Sequence, residues 1–233
     1  NNISGWSFSF IGGGDCNSSL GSRSTVSGGL CNTASGYYSF VGGGNRNIAS
    51  TSSSTVSGGF GNIASGTYST VSGGYFNTAS AVNSTVGGGR QNTASSNYST
   101  ISGGYLNTAS GMYSFIGGGL NNNATNEYSV IVGGKSNTAS SCYSTIVSGQ
   151  ANIVSSCFSN IVGGKSNNIS GIFASIGGGC GNTVSDTYSF IGGGNANSIS
   201  NTYGGTGSVI AGGLLNTISF SYTAQRFVLG FLI

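Results

Sequence analysis

Few side chains in this 233-residue chain can do chemistry: five cysteines, twelve tyrosines, the acids Asp15, Glu127 and Asp186, and six Lys or Arg, with no His at all. Without His, a Ser–His or Cys–His nucleophile pair cannot form. The three acids fall at different positions of the repeat set out below. Glu127 and Asp186 are about four coils apart, roughly 19 Å at strand spacing, which is too far for paired acid–base work. The glycine runs Gly12–Gly14 and Gly117–Gly119 lack the Lys-Ser/Thr and the following helix of a phosphate loop. An Asp-rich calcium-binding repeat is also missing. These residues predict a non-enzymatic chain with no cofactor and no metal.

The elements that would position these residues are set by an unusual composition: 45 Gly, no Pro and only 4% charged residues. The absence of Pro excludes collagen. Twelve Tyr, twelve Phe and regularly placed Val and Ile argue against a disordered linker. The net charge of +3 is scattered and forms no basic stripe, so nucleic acid is not an expected partner. No stretch reaches the roughly 18 apolar residues that span a bilayer. The first residues carry no basic segment followed by an apolar one, and the chain reads as a mature or internal piece.

Asn recurs every 15 residues, at Asn2, Asn17, Asn32, Asn47, Asn62, Asn77, Asn92, Asn107, Asn122, Asn137, Asn152, Asn167, Asn182 and Asn197. A further copy, Asn216, follows a four-residue insertion placed at 204–207. Val or Ile keeps the same register at Ile11, Val26, Val41, Val56, Val71, Val86, Ile101, Ile116, Ile131, Ile146, Ile161, Ile176, Ile191 and Ile210. Each unit contains two short segments that alternate by twos, as in Asn77 and Ala79 and in Ser69 and Val71. Period two predicts strands. Glycines after each segment are expected to supply the left-handed corners.

One such coil cannot bury its inner face alone, whereas stacked coils complete one another's core. The predicted fold is therefore an all-β parallel β-solenoid over residues 1–219, about fifteen coils with two strands each, followed by an apolar non-repeat segment over 220–233. At about 4.8 Å per coil, it would form a rod roughly 70 Å long. The buried Asn needs a partner, because an unsatisfied buried polar group costs about 1–3 kcal/mol. Identical amides on successive coils are expected to bond along the axis as a ladder.

Ser-Thr-Val-Ser-Gly (69–73) and Asn-Thr-Ala-Ser-Gly (32–36) resemble the S-x-A-x-G units of the YadA-like heads of trimeric autotransporter adhesins. That resemblance implies a left-handed β-roll and an adhesive role. A second Gly, as at Gly28–Gly29 and Gly43–Gly44, makes the coil here one residue longer. The pattern is also similar to the ice-binding β-rolls of grasses. Stalk heptads, a neck motif and an anchor barrel are missing from this sequence, so the resemblance does not carry a trimer with it.

Several columns of this register are candidates for function. Aromatic residues precede the second strand at Phe8, Tyr38, Tyr68, Tyr98, Tyr113, Tyr128, Tyr143, Phe158, Phe173, Tyr188 and Tyr203, interrupted at Arg23, Ser53 and Asn83. Stacked at coil spacing, they form a stripe that either stiffens the corner or meets a glycan or another chain. Thr25, Thr55, Thr70, Thr85, Thr100 and Thr145 offer part of an ice-binding array, broken by Phe10, Phe40, Phe115, Val130, Asn160 and Phe190. Cys16 and Cys31 share one column and Cys142 and Cys157 another. Coil spacing puts each pair within disulfide reach, and stacked thiols are the alternative. Cys180 has no partner in its column. Of six N-glycosylation sequons, Asn83 and Asn97 lie at corners where a glycan would fit, whereas Asn2 and Asn17 belong to the ladder.

A parallel stack leaves open strand edges at its ends. Phe227, Val228, Leu229, Phe231, Leu232 and Ile233, the most apolar stretch of the chain, are the candidate assembly contact or cap. Taken together, these features predict an extracellular, cell-surface or virion-surface structural subunit that associates with itself, as a fibre, filament or adhesin. The alternatives are a discrete trimeric head that binds a receptor on a host surface or matrix, and an ice-binding protein.

Overall fold

The computed structural model describes residues 2–5, 7–200, 207–219 and 227–228. The chain divides into two compact units, Asn1–Gly119 and Leu120–Ile233. Both are all-β parallel solenoids built on the same 15-residue coil. Each coil makes two two-residue strands, such as Thr78–Ala79 and Thr85–Val86. First strands pair only with first strands and second strands only with second strands, as in Thr78↔Thr93 and Thr70↔Thr85 of unit 1. Thr138↔Ile153 and Val130↔Thr145 repeat the pattern in unit 2. The register is 15 residues in each of these pairs, so every column read from the sequence becomes a physical ladder.

Counting from the ladder Asn as position 1, positions 1, 3, 8 and 10 face inward. Asn77, Ala79, Ser84 and Val86 are all fully buried, while the outward Thr78 and Thr85 are half-buried. The small inner set follows from the coil, which leaves room for one residue per strand face. Unit 1 has Ser4 and Ser19 at position 3 of its first two coils and then Ala34, Ala49, Ala64, Ala79, Ala94 and Ala109. Unit 2 begins with Ala124 and Ala139 and then moves to Val154, Ile169, Val184, Ile199 and Ile218. Each added buried methylene is worth about 0.8 kcal/mol.

Gly at position 13 is required twice over. Its φ lies between +80° and +106° in every described coil. A Cβ on Gly74 would sit 2.2 Å from the Gly89 carbonyl oxygen and 2.6 Å from the Asn77 amide nitrogen. The other corner departs from expectation. There the left-handed residue is not Gly but position 7, from Phe8 at φ 65° to Tyr143 at φ 52°. Position 15 is left-handed as well, as at Cys16, Gln91 and Ala151. Such backbone costs about 1–3 kcal/mol per residue. A coil-to-coil bond offsets it: Tyr98 N–H donates to the Val82 carbonyl at 3.0 Å, and Tyr143 N–H to the Glu127 carbonyl at 3.1 Å.

Toward the end of unit 2 the register lengthens. Phe190 pairs with Val209, and Ser198 with Thr217, at 19 residues, which absorbs the four-residue insertion. Most of that insertion, 204–206, lies outside the described residues, as does Tyr203. The segment predicted as non-repeat adds one more strand, Phe227–Val228, parallel to Val209–Ile210. Leu229, Phe231, Leu232 and Ile233 lie outside the described residues. Among the described residues no helix is long and apolar enough to cross a membrane.

Candidate functional site: the stacked corners

The Asn ladder holds the corners in place. Its chemistry is mostly side chain to backbone rather than amide to amide. Asn77 Oδ1 accepts the backbone N–H of Asn92 at 3.0 Å. Asn77 Nδ2 donates to the carbonyl of Gly73, four residues before it, at 2.9 Å and to the carbonyl of Gly89, twelve residues after it, at 2.8 Å. Each amide thus clamps two glycine corners and one strand, which satisfies its buried donor and acceptor. Direct amide–amide contacts join in at some coils, such as Asn107 to Asn92 at 3.1 Å. In unit 2, Asn152 keeps the arrangement with Ser148 in place of the usual Gly as the acceptor four residues before it, at 3.2 Å. The buried Ser column works similarly: Ser84 Oγ donates to the Ala81 carbonyl at 2.7 Å, and Ser144 Oγ to Ser141 at 2.5 Å.

On this scaffold the position 7 column projects outward. In unit 2 it is unbroken over five coils: Tyr128, Tyr143, Phe158, Phe173 and Tyr188 stack at 4.7–5.0 Å between ring centroids with planes within 10°. The rings stay 37–59% exposed. Among the described residues of unit 1 this column stacks such a pair at Tyr98 and Tyr113, at 4.8 Å, and Arg23, Ser53 and Asn83 interrupt it elsewhere. At its start, the Arg23 guanidinium donates to the Tyr37 hydroxyl at 3.0 Å and also to the Tyr38 hydroxyl. The hydrogen bond with Tyr37, and then the one from Arg23, hold the Tyr38 phenol below its ordinary range, while the Tyr38 hydrogen bond pushes Tyr37 up.

A second aromatic corner escaped the sequence reading. Position 14 brings Phe60, Tyr75, Arg90 and Tyr105 into one ladder. Phe60 and Tyr75 stack at 5.2 Å, and the Arg90 guanidinium lies 5.2 Å from the Tyr75 ring centre and 5.3 Å from that of Tyr105. Phe76, one position on, packs edge-to-face on both Phe60 and Tyr75. The signal was available: these residues are 15 apart, two before each ladder Asn.

The two cysteine columns behave differently. Cys142 and Cys157 form a disulfide with Cα atoms 4.8 Å apart, tying two successive coils of unit 2. The candidate pair Cys16 and Cys31 is not bonded and remains as thiols. Both occupy the left-handed position 15, at φ 59° and 54°, and meet through a hydrogen bond that pushes the Cys31 thiol up. The bonded pair stands at position 6, outside the left-handed set. Cys180 is an exposed thiol.

The remaining candidates are placed as follows. Asn83 and Asn97 are exposed at corners, whereas Asn17 is fully buried in the ladder. Thr55, Thr70, Thr85 and Thr100 run in register over four coils of unit 1, flanked by Phe40 and Phe115. No protein-family model matches the chain and no curated protein matches it.

Proposed function

We propose that this chain is a non-catalytic structural subunit that associates with itself into an extracellular surface fibre or adhesive filament. The observation carrying this reading is the exposed ring ladder Tyr128 to Tyr188 on a coil stack with almost no charge. A contiguous exposed apolar stripe is a contact surface in waiting, and the five residues of this run carry no charge that would oppose pairing of copies. The Cys142–Cys157 disulfide supports an oxidising location. The absence of His and the scarcity of acids support the non-enzymatic reading. The resemblance to adhesin heads agrees with the same class of role, and a glycan or a host surface is the ligand class that an aromatic corner would add.

Sedimentation of the wild-type chain beside a Tyr143→Ser, Phe158→Ser, Phe173→Ser triple variant tests the proposal. Concentration-dependent assembly that the variant loses supports it. Monomers of both proteins at every concentration would remove it, and a closed trimer would favour the discrete head. A second reading, ice binding, draws on the in-register run Thr55 to Thr100. Inhibition of ice recrystallisation that is lost in Thr70→Tyr, Thr85→Tyr would establish that reading.

A further inference from the structure

We propose that the stacked tyrosine pairs Tyr98–Tyr113 and Tyr128–Tyr143 are sites of oxidative cross-linking, each joining two successive coils through a dityrosine bond. This goes beyond the functional reading and does not depend on it. In each pair the rings are nearly parallel, 8° and 10° apart, with centroids at 4.8 and 4.7 Å. All four rings are between 37% and 49% exposed, so an oxidant in solution reaches them. The left-handed backbone at φ 52–60° and the 15-residue register stack the two rings face to face, with equivalent ring carbons held next to each other. That removes the encounter step that limits radical coupling between free phenols, in the way that held geometry accelerates any two-body reaction.

The step balances with one hydrogen peroxide and a haem peroxidase. Each phenol gives up one electron and one proton, and the two phenoxyl radicals form one carbon–carbon bond between the positions ortho to the hydroxyls. Each ortho hydrogen then moves to its oxygen, so both phenols are restored. The two electrons and two protons removed convert the peroxide into two waters, and the chain loses two hydrogens per link. A covalent coil-to-coil link is already present at this corner. Cys142 and Cys157, one position before Tyr143 and Phe158, are joined across the same spacing. A Tyr128–Tyr143 link would extend that staple by one coil, and Tyr98–Tyr113 would supply unit 1 with a staple of its own.

Selectivity follows from the column. Tyr68 is 59% exposed, but its column neighbours are Ser53 and Asn83, so it has no stacked ring to join. Phe158 stacks on Tyr143 but forms no phenoxyl radical.

The test is peroxidase and hydrogen peroxide on the dilute full chain, followed by digestion and mass spectrometry. The expected products are intramolecular links 98–113 and 128–143, with a yield independent of protein concentration and Tyr68 left unlinked. Tyr113→Phe should abolish the first link and keep the second, and Tyr143→Phe the reverse. Phe already occupies this column at Phe158 and Phe173, so both variants keep the fold, and circular dichroism verifies this. Absence of both links, or Tyr68 linked as readily as the stacked pairs, or links only between molecules, would overturn the proposal.

Discussion

In unit 1, Ala79, Ala94 and Ala109 share the core with Val71, Val86 and Ile101; in unit 2, Ile169, Val184 and Ile199 share it with Ile161, Ile176 and Ile191. The corners differ as well, each unit placing its aromatic residues at a different position. Unit 1 gathers Phe60, Tyr75, Phe76, Arg90 and Tyr105 at positions 14 and 15 and breaks its position 7 column. Unit 2 carries the unbroken ring ladder at position 7 and places Leu120, Lys135, Gln150, Lys165, Cys180, Asn195 and Leu214 at position 14, with no aromatic residue among them. The backbone is the same in both, down to left-handed residues at positions 7, 13 and 15. Once the Asn clamps and position 13 glycines set the coil, the outward columns are open to whichever side chains the surface requires. Core size and the placement of the apolar corner thus both differ between the units on one backbone.

The largest expected effect removes what the units share. Gly74→Ala in unit 1 and Gly149→Ala in unit 2 each drive a Cβ to 2.2 Å from the next coil's carbonyl oxygen. Each should destabilise its own unit by on the order of 4 kcal/mol or more, read as loss of hydrogen-exchange protection on both sides of the coil. Equal tolerance of Ala at both sites would show that the corner is looser than described.

The cores should separate next. Ile169→Ala should cost about 2–5 kcal/mol in unit 2, whereas Ala94→Ile should overpack unit 1 by about 1–3 kcal/mol; denaturant titration measures both. A gain of stability from Ala94→Ile would mean that unit 1 has unused room. The disulfide distinguishes the units again. Reduction, or Cys142→Ser, opens a 15-residue loop and should lower unit 2 by about 3 kcal/mol, with unit 1 unmoved in a domain-resolved melt. The smallest contrast lies in the Ser column. Ser144→Ala loses the bond to the Ser141 carbonyl and should cost about 1 kcal/mol, while Ser114, whose Oγ has no partner, should tolerate Ala with almost no change in midpoint.

Much of this was legible in the sequence, because an in-register solenoid converts spacing directly into contact. The Asn and Val/Ile columns and the inward Ala and Ser are where the 15-residue period puts them. The bonding of the ladder was less legible: amide composition alone does not say that Asn77 prefers the Gly73 and Gly89 carbonyls to its neighbouring amides. The left-handed tyrosines were hidden for a related reason. Local propensity assigns positive φ to Gly, and only the coil-to-coil bond of the Tyr98 or Tyr143 N–H makes the cost tolerable. Spacing made both cysteine pairs equivalent, and only their placement on different corner positions separates the disulfide at Cys142–Cys157 from the thiols at Cys16 and Cys31. The Phe60–Tyr105 column was missed because its members differ in type, although their spacing does not.

The most direct test of the central claim, self-association through the unit 2 ring ladder, is cryo-electron microscopy of the chain purified without reductant. Assemblies in which copies meet along the Tyr128–Tyr188 corner are the expected result. Isolated monomers, or assemblies that leave that corner bare, would contradict it.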